Sequence, residues 1–549
     1  MTTRLRIALA AVLILTALTY RGALHNGFVW DDTYTIVHNR AIDSLGSAAA
    51  WFLNPESWSS RSEVSYRPVI TASFGLDVAL FGRNPFWFHA VNIGLHLAVI
   101  ALVAGLAFRI WRDARSALAA AAVVAWHPLN AEAVVYVSAR STLLSTLLVL
   151  AAITAWDRAN RTATRGSWMI MSWVLGALAL GAKEAAVILP LLIVAWDRLT
   201  SQPARAWAES IRASASWWVL VAAYLAWRTW LLSDKFREQP IGDGAWQPAL
   251  FAIKMFLVSV TSWLVPIGSA IDHGWSWRIE PAEGAALIAG AAVAAALTVA
   301  VFRFDRRVGW CVAWFWISLL PLAALPWVSR VTLYQDQRVY LAGVGLACAA
   351  GELARRIGVW CAPRRMLVVL AGLAAVATAA GALWTDRSRT MIWRDADRLW
   401  AYTLSVYPTS ILARNHLALR LVETGDLAAA REHLETSAAF APNFPATHNY
   451  LGIVYARLGE LDLAIVEFNT AVRLSPFFGT ARLNLGNAYE KAGRQDLALA
   501  AYETDVPDQP WAVQLLERSA TLLTRMGRYE DARLRWARIL RIDPHYQGQ

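Results

Sequence analysis

The sequence predicts an all-α protein in two parts, a polytopic transmembrane helix bundle followed by an α-solenoid. Three observations carry this. Of 549 residues, 57% are hydrophobic and only 17% charged, where a soluble domain carries about a quarter charged. The deficit is confined to residues 1–384, in which apolar runs follow one another. Residues 385–549 have an ordinary soluble composition and repeat with a period of 34, the mark of stacked helical hairpins.

A bilayer core takes about 20 apolar residues as helix. Candidate runs lie at 6–20, 88–108, 117–136, 141–156, 167–182, 185–197, 215–232, 248–267, 284–302, 308–327, 338–354 and 365–384. The first follows Arg4 and Arg6 and is not succeeded by a small-x-small cleavage site, so a retained anchor is expected rather than a signal peptide. Arginines gather in short connections: Arg109, Arg112 and Arg115; Arg158, Arg161 and Arg165; Arg198, Arg205 and Arg212; Arg303, Arg306 and Arg307; then Arg355, Arg356, Arg364 and Arg365. Basic loops face the cytoplasm. The first three clusters agree with a cytoplasmic N-terminus, and the last two fall on the opposite parity. Either 215–232 or 248–267 is therefore expected not to cross, which gives about eleven crossings; one undetected extra crossing is the alternative.

The net charge of +11 is accounted for by these loops. No stretch interleaves basic and aromatic residues on a soluble face, so nucleic acid is excluded as a partner. Cys311, Cys348 and Cys361 lie in or beside apolar runs, odd in number and without zinc spacing, and read as small hydrophobes. The 29 tryptophans fit interfacial belts. With eleven crossings, the connections 21–87, 127–140, 183–184, 268–283 and 328–337 share the non-cytoplasmic face, and they hold most of the unusual polar residues.

In the second part, Gly425, Gly459, Gly493 and Gly527 keep one register. Pro408, Pro442, Pro476, Pro510 and Pro544 keep a second, and Ala396, Ala430, Ala464, Ala498 and Ala532 a third. One copy is filled by Leu451, Gly452, Tyr455, Ala464, Phe468, Ala471 and Pro476, the next by Leu485, Gly486, Tyr489, Ala498, Tyr502 and Pro510. Small alanines let paired helices approach, aromatics fill the adjacent hole, glycine ends the first helix and proline punctuates. The pattern resembles the tetratricopeptide repeat (TPR): four repeats over about 411–546, preceded by a half-repeat marked by Ala396, Trp400 and Pro408. Such solenoids present a concave face to peptides or proteins; a purely structural or dimerising module is the plainer reading.

The first outer connection opens with NGFVWDDTYTIVHN, residues 26–39. Taken alone, Asp31 and Asp32 suit a solvated turn or a helix N-cap. His89, Asn92 and His96 stand at i, i+3 and i+7 on one helical face. Two histidines seven apart without a placed carboxylate make poor metal ligands, and interhelical hydrogen bonding is expected instead. No metal and no cofactor are expected.

A first span, a long outer loop opening with paired acids, and a second span entered through FHxxNxxLH resemble the GT-C superfamily of membrane glycosyltransferases. More narrowly, the chain is similar to the transmembrane-and-TPR O-mannosyltransferases and their bacterial relatives. HPLNAEAVVYVSAR at 127–140, AKE at 182–184, PIGSAIDH at 266–273 and DQRVYL at 336–341 extend the resemblance along the chain. The acid pair is Asp-Asp rather than the Asp-Glu of some branches, and no metal-binding DxD stands in the outer loops.

The resemblance implies a GT-C-type bundle that moves a sugar from a lipid-linked, polyprenyl-phosphate donor to a protein, glycan or lipid acceptor. It implies Asp31 as the base, with Asp32 orienting the acceptor or supporting Asp31. The departing phosphate needs cations at membrane depth, for which Lys183, Arg338 and Arg67 are candidates; an ion pair or a snorkelling side chain is the plainer reading of each. His89, Asn92, His96, His127, Glu132, Arg140, Glu184, Asp272 and His273 are candidates for acceptor or sugar contact or for support. The expected setting is a bacterial inner membrane, with the site and the solenoid on the periplasmic side and membrane lipids and a protein acceptor as partners. A membrane-anchored TPR scaffold would explain the repeats but not the outer-loop acids and cations. A transporter would show two matching halves, and a lipid-linked glycan ligase would share most of the chemistry.

Overall fold

The computed structural model describes residues 3–59, 65–201, 207–232, 246–266, 268, 270–274, 279–328, 335–363, 365–503, 512–542 and 546. Arg205, Arg364, Pro510 and Pro544, and residues 275–278 and 329–334 of two expected outer connections, lie outside the described residues.

All regular structure among the described residues is helical. The first part comprises α1 (Thr3–Tyr20), α2 (Ala48–Leu53), α3 (Pro68–Phe81), α4 (Pro85–Trp111), α5 (Ala114–Trp126), α6 (Asn130–Val135), α7 (Arg140–Ala159), α8 (Arg165–Ala182), α9 (Leu189–Thr200), α10 (Trp207–Ala213), α11 (Ala215–Leu232), α12 (Trp246–Leu264), α13 (Pro281–Phe304), α14 (Arg306–Leu319), α15 (Leu325–Val328), α16 (Tyr340–Cys361) and α17 (Arg365–Ile392). Six helical segments among the described residues are long and apolar enough to cross a membrane: Leu5–His25, Pro85–Trp111, Val137–Ala159, Trp246–Leu264, Pro281–Phe304 and Arg306–Ala324. They mark an integral membrane protein.

Two expectations change in detail. The apolar run 117–136 is not one helix. It stops at Trp126, His127 is extended (φ −72°, ψ 121°), and α6 begins afresh at Asn130. Pro128 is the cause, since it disfavours helical backbone at the residue before it. The connection 21–87 is not an open loop either, for it contains α2 and the apolar α3, the latter started by Pro68 and stopped by Gly82 at φ +65°.

The ends of the first part sort into two groups. Ser116, at the start of α5, donates to Glu352 late in α16 (3.1 Å), and Arg356 joins Glu352 to Asp305, the residue after α13. The start of α5 and the ends of α13 and α16 therefore meet at one end. His127, after α5, and the start of α13 belong to the other, the site end. Helix α12 packs beside the first half of α13, with Leu250 against Gly284 and Leu257 against Gly290. Gln247 exchanges hydrogen bonds of 3.1 and 3.0 Å with the backbone of Ile279, just before α13. At the other terminus the Trp263 carbonyl accepts from His127 Nε2 (2.8 Å), and the two rings stack at 4.9 Å.

The chain divides into two compact units, one of Met1–Ile271 with Arg278–Leu399, the other of Asp272–Trp277 with Trp400–Gln549. The second unit is the solenoid, entered through α18 (Ala396–Val406). Its hairpins are α19 (Ile411–Thr424) with α20 (Leu427–Phe440), α21 (Pro445–Leu458) with α22 (Leu461–Leu474), α23 (Gly479–Lys491) with α24 (Gln495–Glu503), and α25 (Val513–Arg525) with α26 (Tyr529–Ile542). The glycine register ends each first helix in the left-handed region, with φ of +89°, +82°, +71° and +75° at Gly425, Gly459, Gly493 and Gly527, as helix C-termini require. Gly452 has no room for a side chain: a Cβ there would meet the Phe468 ring at 2.6 Å.

Candidate functional site

The segment 26–39 is a turn held at both ends. At its start, the Asn26 side-chain amide donates to the Thr390 carbonyl (3.0 Å) and the Gly27 amide to the Arg394 carbonyl (3.1 Å). At its end, Asn39 donates to the carbonyls of Thr35, Ser57 and Trp58 at 3.2, 3.0 and 3.2 Å. Arg83 donates to the carbonyls of Ile36 and Asn39, each at 2.9 Å. Between these anchors the helix Thr33–Val37 is wound in the wide π form, which often marks functional sites. Trp30 stands at φ +51°, a conformation that non-glycine residues adopt at a cost of about 1–3 kcal/mol when the surroundings enforce it.

Asp31 and Asp32, adjacent in sequence, are treated differently. Asp32 is fully buried and accepts three hydrogen bonds, from the Val29 amide (3.1 Å), the Ser138 amide (2.8 Å) and the Ser138 hydroxyl (2.5 Å). Burial pushes its carboxyl up to about 7, against the pull of those donors. Asp31 is half-buried, and its Oδ2 accepts from the Tyr136 hydroxyl at 2.9 Å. Burial first, then the two carboxylates, push the Tyr136 phenol well above its usual value, so the phenol is the donor. Thr35 Oγ1 donates to the Asp31 carbonyl (2.9 Å) and lies 3.0 Å from Ser138 Oγ. Asp32 is thus the fastening of the turn and Asp31 its less buried carboxylate. The sequence reading missed Tyr136 and Ser138, although both stand in the HPLNAEAVVYVSAR stretch that it singled out.

A group of cations lies near this turn. Arg67 grips Glu184 bidentately, Nε to Oε2 at 3.2 Å and Nη2 to Oε1 at 3.0 Å. Although burial opposes it, Arg67 and then Arg228 hold the Glu184 carboxyl below the usual range. Arg228, on α11, was not anticipated from the sequence. Lys183 is half-buried and donates to Thr142 Oγ1 at 2.5 Å, while Thr142 donates to Gln337 Oε1 at 2.9 Å. Burial, then Arg67, depress the Lys183 ammonium to about 7, with Arg338 acting the same way and Glu184 opposing. Arg67 in turn feels the charge of Asp31. Arg67 thus links Asp31 to a buried group of cations whose counter-charge is Glu184.

The remaining candidates fall into distinct places. Glu132 is buried beside Asp336; burial first, then Asp336, raise its carboxyl well above the usual range, with Arg338 opposing. His127 is pushed down to about 4 by burial and holds Trp263. Arg140 is fully buried and bonds Asp77 (2.6 Å), Asn92 (2.9 Å), Ser73 (2.9 Å) and the Phe88 carbonyl (3.0 Å). Asn92 also donates to the Tyr136 carbonyl (3.2 Å), and His96 Nδ1 meets the Tyr340 hydroxyl at 2.6 Å. His89 is buried beside the backbone of Asn26 and Gly27. Of these, His89 borders the start of the turn, and Asn92, held by Arg140, fixes the Tyr136 backbone. Asp272 and His273 are not part of this set. They belong to the solenoid unit, where Ser410 donates to Asp272 Oδ2 (2.5 Å) and the Tyr407 hydroxyl lies 3.0 Å from His273 Nδ1. Among the described residues no group of three or more histidine, cysteine or acidic side chains is placed to hold a metal.

The family model described as "Tetratricopeptide repeat" matches residues 416–477 and 467–510. Protein O-mannosyl-transferase TMTC1 of Mus musculus and that of Homo sapiens are each 32% identical to the chain over 189 residues, which is 31% of this chain and 20% and 21% of theirs. The chain spans about a fifth of the length of these curated relatives. Among solved structures, the crystal structure of MamA covers 27% of this chain and 86% of its own at 18% identity, with a TM-score of 0.23. The chain is thus a tetratricopeptide-repeat membrane protein, distantly related over about a third of its length to the TMTC protein O-mannosyl-transferases.

Proposed function

We propose that the chain is a membrane glycosyltransferase that moves a sugar from a polyprenyl-phosphate donor to a hydroxyl of a protein acceptor. The observation that carries this reading is the half-buried Asp31 carboxylate, fixed by Tyr136 and facing Arg67, which with Arg228 and Lys183 surrounds Glu184. Asp31 takes the proton of the acceptor hydroxyl as its oxygen bonds to the anomeric carbon. The bond from that carbon to the phosphate oxygen breaks, and the electron pair leaves with the polyprenyl phosphate. Lys183, Arg67 and Arg338 receive the departing charge, with Arg228 joining them. Asp32 holds the turn, and the Arg140–Asn92 strut and His89 support it. The distant relation to the O-mannosyl-transferases favours mannose as the sugar.

Eleven crossings, with either 215–232 or 248–267 not crossing, leave the arginine clusters on a single face. The site end is then non-cytoplasmic, the periplasm if the membrane is a bacterial inner one. The solenoid, assigned to that face by the same arginine parity, selects the acceptor protein. The test is direct. Full-length protein in liposomes is given a polyprenyl-phosphate mannose and a panel of hydroxyl-bearing proteins, and the acceptors are weighed for added hexose. Transfer to some of them is expected. No transfer from this or any other lipid-linked monosaccharide would leave a scaffold as the better reading.

A further inference from the structure

The last turn of α17 and the two residues after it reach the candidate site by three routes. The Thr390 and Arg394 carbonyls accept the two hydrogen bonds that start the Asp31 turn, from Asn26 and Gly27. The buried Trp393 stacks on Tyr136, with ring centroids 5.0 Å apart and planes at 27°. Tyr136 is itself sandwiched, since Trp30 stacks on it at 5.9 Å and 21°. Its hydroxyl, at the edge of this three-ring file, is the donor to Asp31. A phenol with two rotatable bonds, gripped by an indole on each face, has little freedom to swing away. Trp393 also stands three residues before α18, the helix through which the chain enters the solenoid.

We propose that Tyr136 and Trp393 are positioning residues for the Asp31 carboxylate, so that the turn leaving the last membrane helix sets the strength of the base. The inference rests on the reading of Asp31 as that base. A donor hydrogen bond stabilises the carboxylate and lowers its affinity for protons. Loss of the bond, or of the ring that aims it, makes Asp31 a group that holds its proton to higher pH. Among the described residues, the charged groups that face Asp31 include Asp32 from its own turn and Arg67 from the start of α3.

The test is a titration of Asp31 by difference infrared spectroscopy on full-length protein in lipid nanodiscs, with Asp31→Asn as the blank that isolates its carboxylate band. Tyr136→Phe is expected to raise the midpoint by about one to two pH units, the size of a lost hydrogen bond to a charged group. Trp393→Ala is expected to raise it by about half as much, and Trp393→Phe, which keeps a stacking ring, to leave it in place. Midpoints equal to wild type in both Tyr136→Phe and Trp393→Ala overturn the proposal. Because Trp393→Phe preserves the packing, a rise there equal to that in Trp393→Ala also overturns it, by showing a general loosening. The readout needs no sugar transfer. A protein that transfers nothing counts against the transferase reading, and the titration still decides the positioning.

Discussion

The solenoid and the site end of the membrane unit are both made of helices, but their contacts are of different range. In the solenoid each aromatic ring fills a gap left by a glycine some sixteen residues earlier, Phe468 on Gly452 and Tyr502 on Gly486, and the next repeat does the same again. Around Asp31 the partners come from far along the chain. Asn26 reaches Thr390, Tyr136 reaches Asp31, Arg67 reaches Glu184, and Lys183 reaches Thr142. A repeat array is a sum of near-neighbour terms, so damage to it is local and graded. The site is a single interlocked polar set in which one missing partner leaves another buried and uncompensated.

That contrast predicts its own sharpest failure at Arg140. Its guanidinium is fully buried and satisfies Asp77, Asn92, Ser73 and the Phe88 carbonyl together. Arg140→Leu strands Asp77 and is expected to cost about 3–5 kcal/mol, read as a large fall in the thermal midpoint of the membrane unit in detergent. Adding Asp77→Leu should restore part of the loss. A cost no larger than that of a surface change would mean that the strut is not what holds the turn.

Gly486→Ala probes the other side of the comparison. A Cβ at that position runs into the Tyr502 ring, and overpacking of this kind costs about 1–3 kcal/mol. The expected result is a lowered transition for the solenoid alone, with the membrane transition unchanged. If both transitions fall together, the two units are not energetically separate.

Taken per pH unit, the most gradual expected effect is a pH dependence. Burial raises the Asp32 carboxyl from 3.8 to about 7, so between those values the folded chain holds a proton that the unfolded chain has released. Stability from this group is full below about pH 4, falls as pH rises, and levels off above about 7, with a slope of at most ~1.4 kcal/mol per pH unit. Asp32→Asn should remove that slope. A membrane unit whose stability rises over the same window, and does so because of Asp32, would contradict the burial of this carboxyl.

The same difference in range decides how much the sequence disclosed. The solenoid was legible because each of its rules is local and recurs: the four glycines that keep the 34-residue register all end helices at positive φ. The long helices of the membrane part were legible from apolarity, six of them among the described residues long and apolar enough to cross. The helical content of 21–87 was hidden, since α3 is only 14 residues long and falls below the length that marks a span. In the site, the paired acids stood out by type. Their division of labour did not, because it is set by Ser138 and Tyr136, 106 and 105 residues away. Nothing in the spacing of Asp272 and His273 told that they would belong to the solenoid unit, fixed there by Ser410 and Tyr407.

The central claim is that the Asp31 carboxylate, held by Tyr136, is the base of a sugar transfer. Its most direct measurement is the hexose added to a protein acceptor from a polyprenyl-phosphate sugar in liposomes, for wild type against Asp31→Asn, with donor binding followed in parallel. The account predicts a loss of transfer of at least about a hundredfold, within the usual range for a general base, with donor binding and thermal midpoint close to wild type. Transfer by Asp31→Asn at the wild-type rate in a normally folded protein would contradict it.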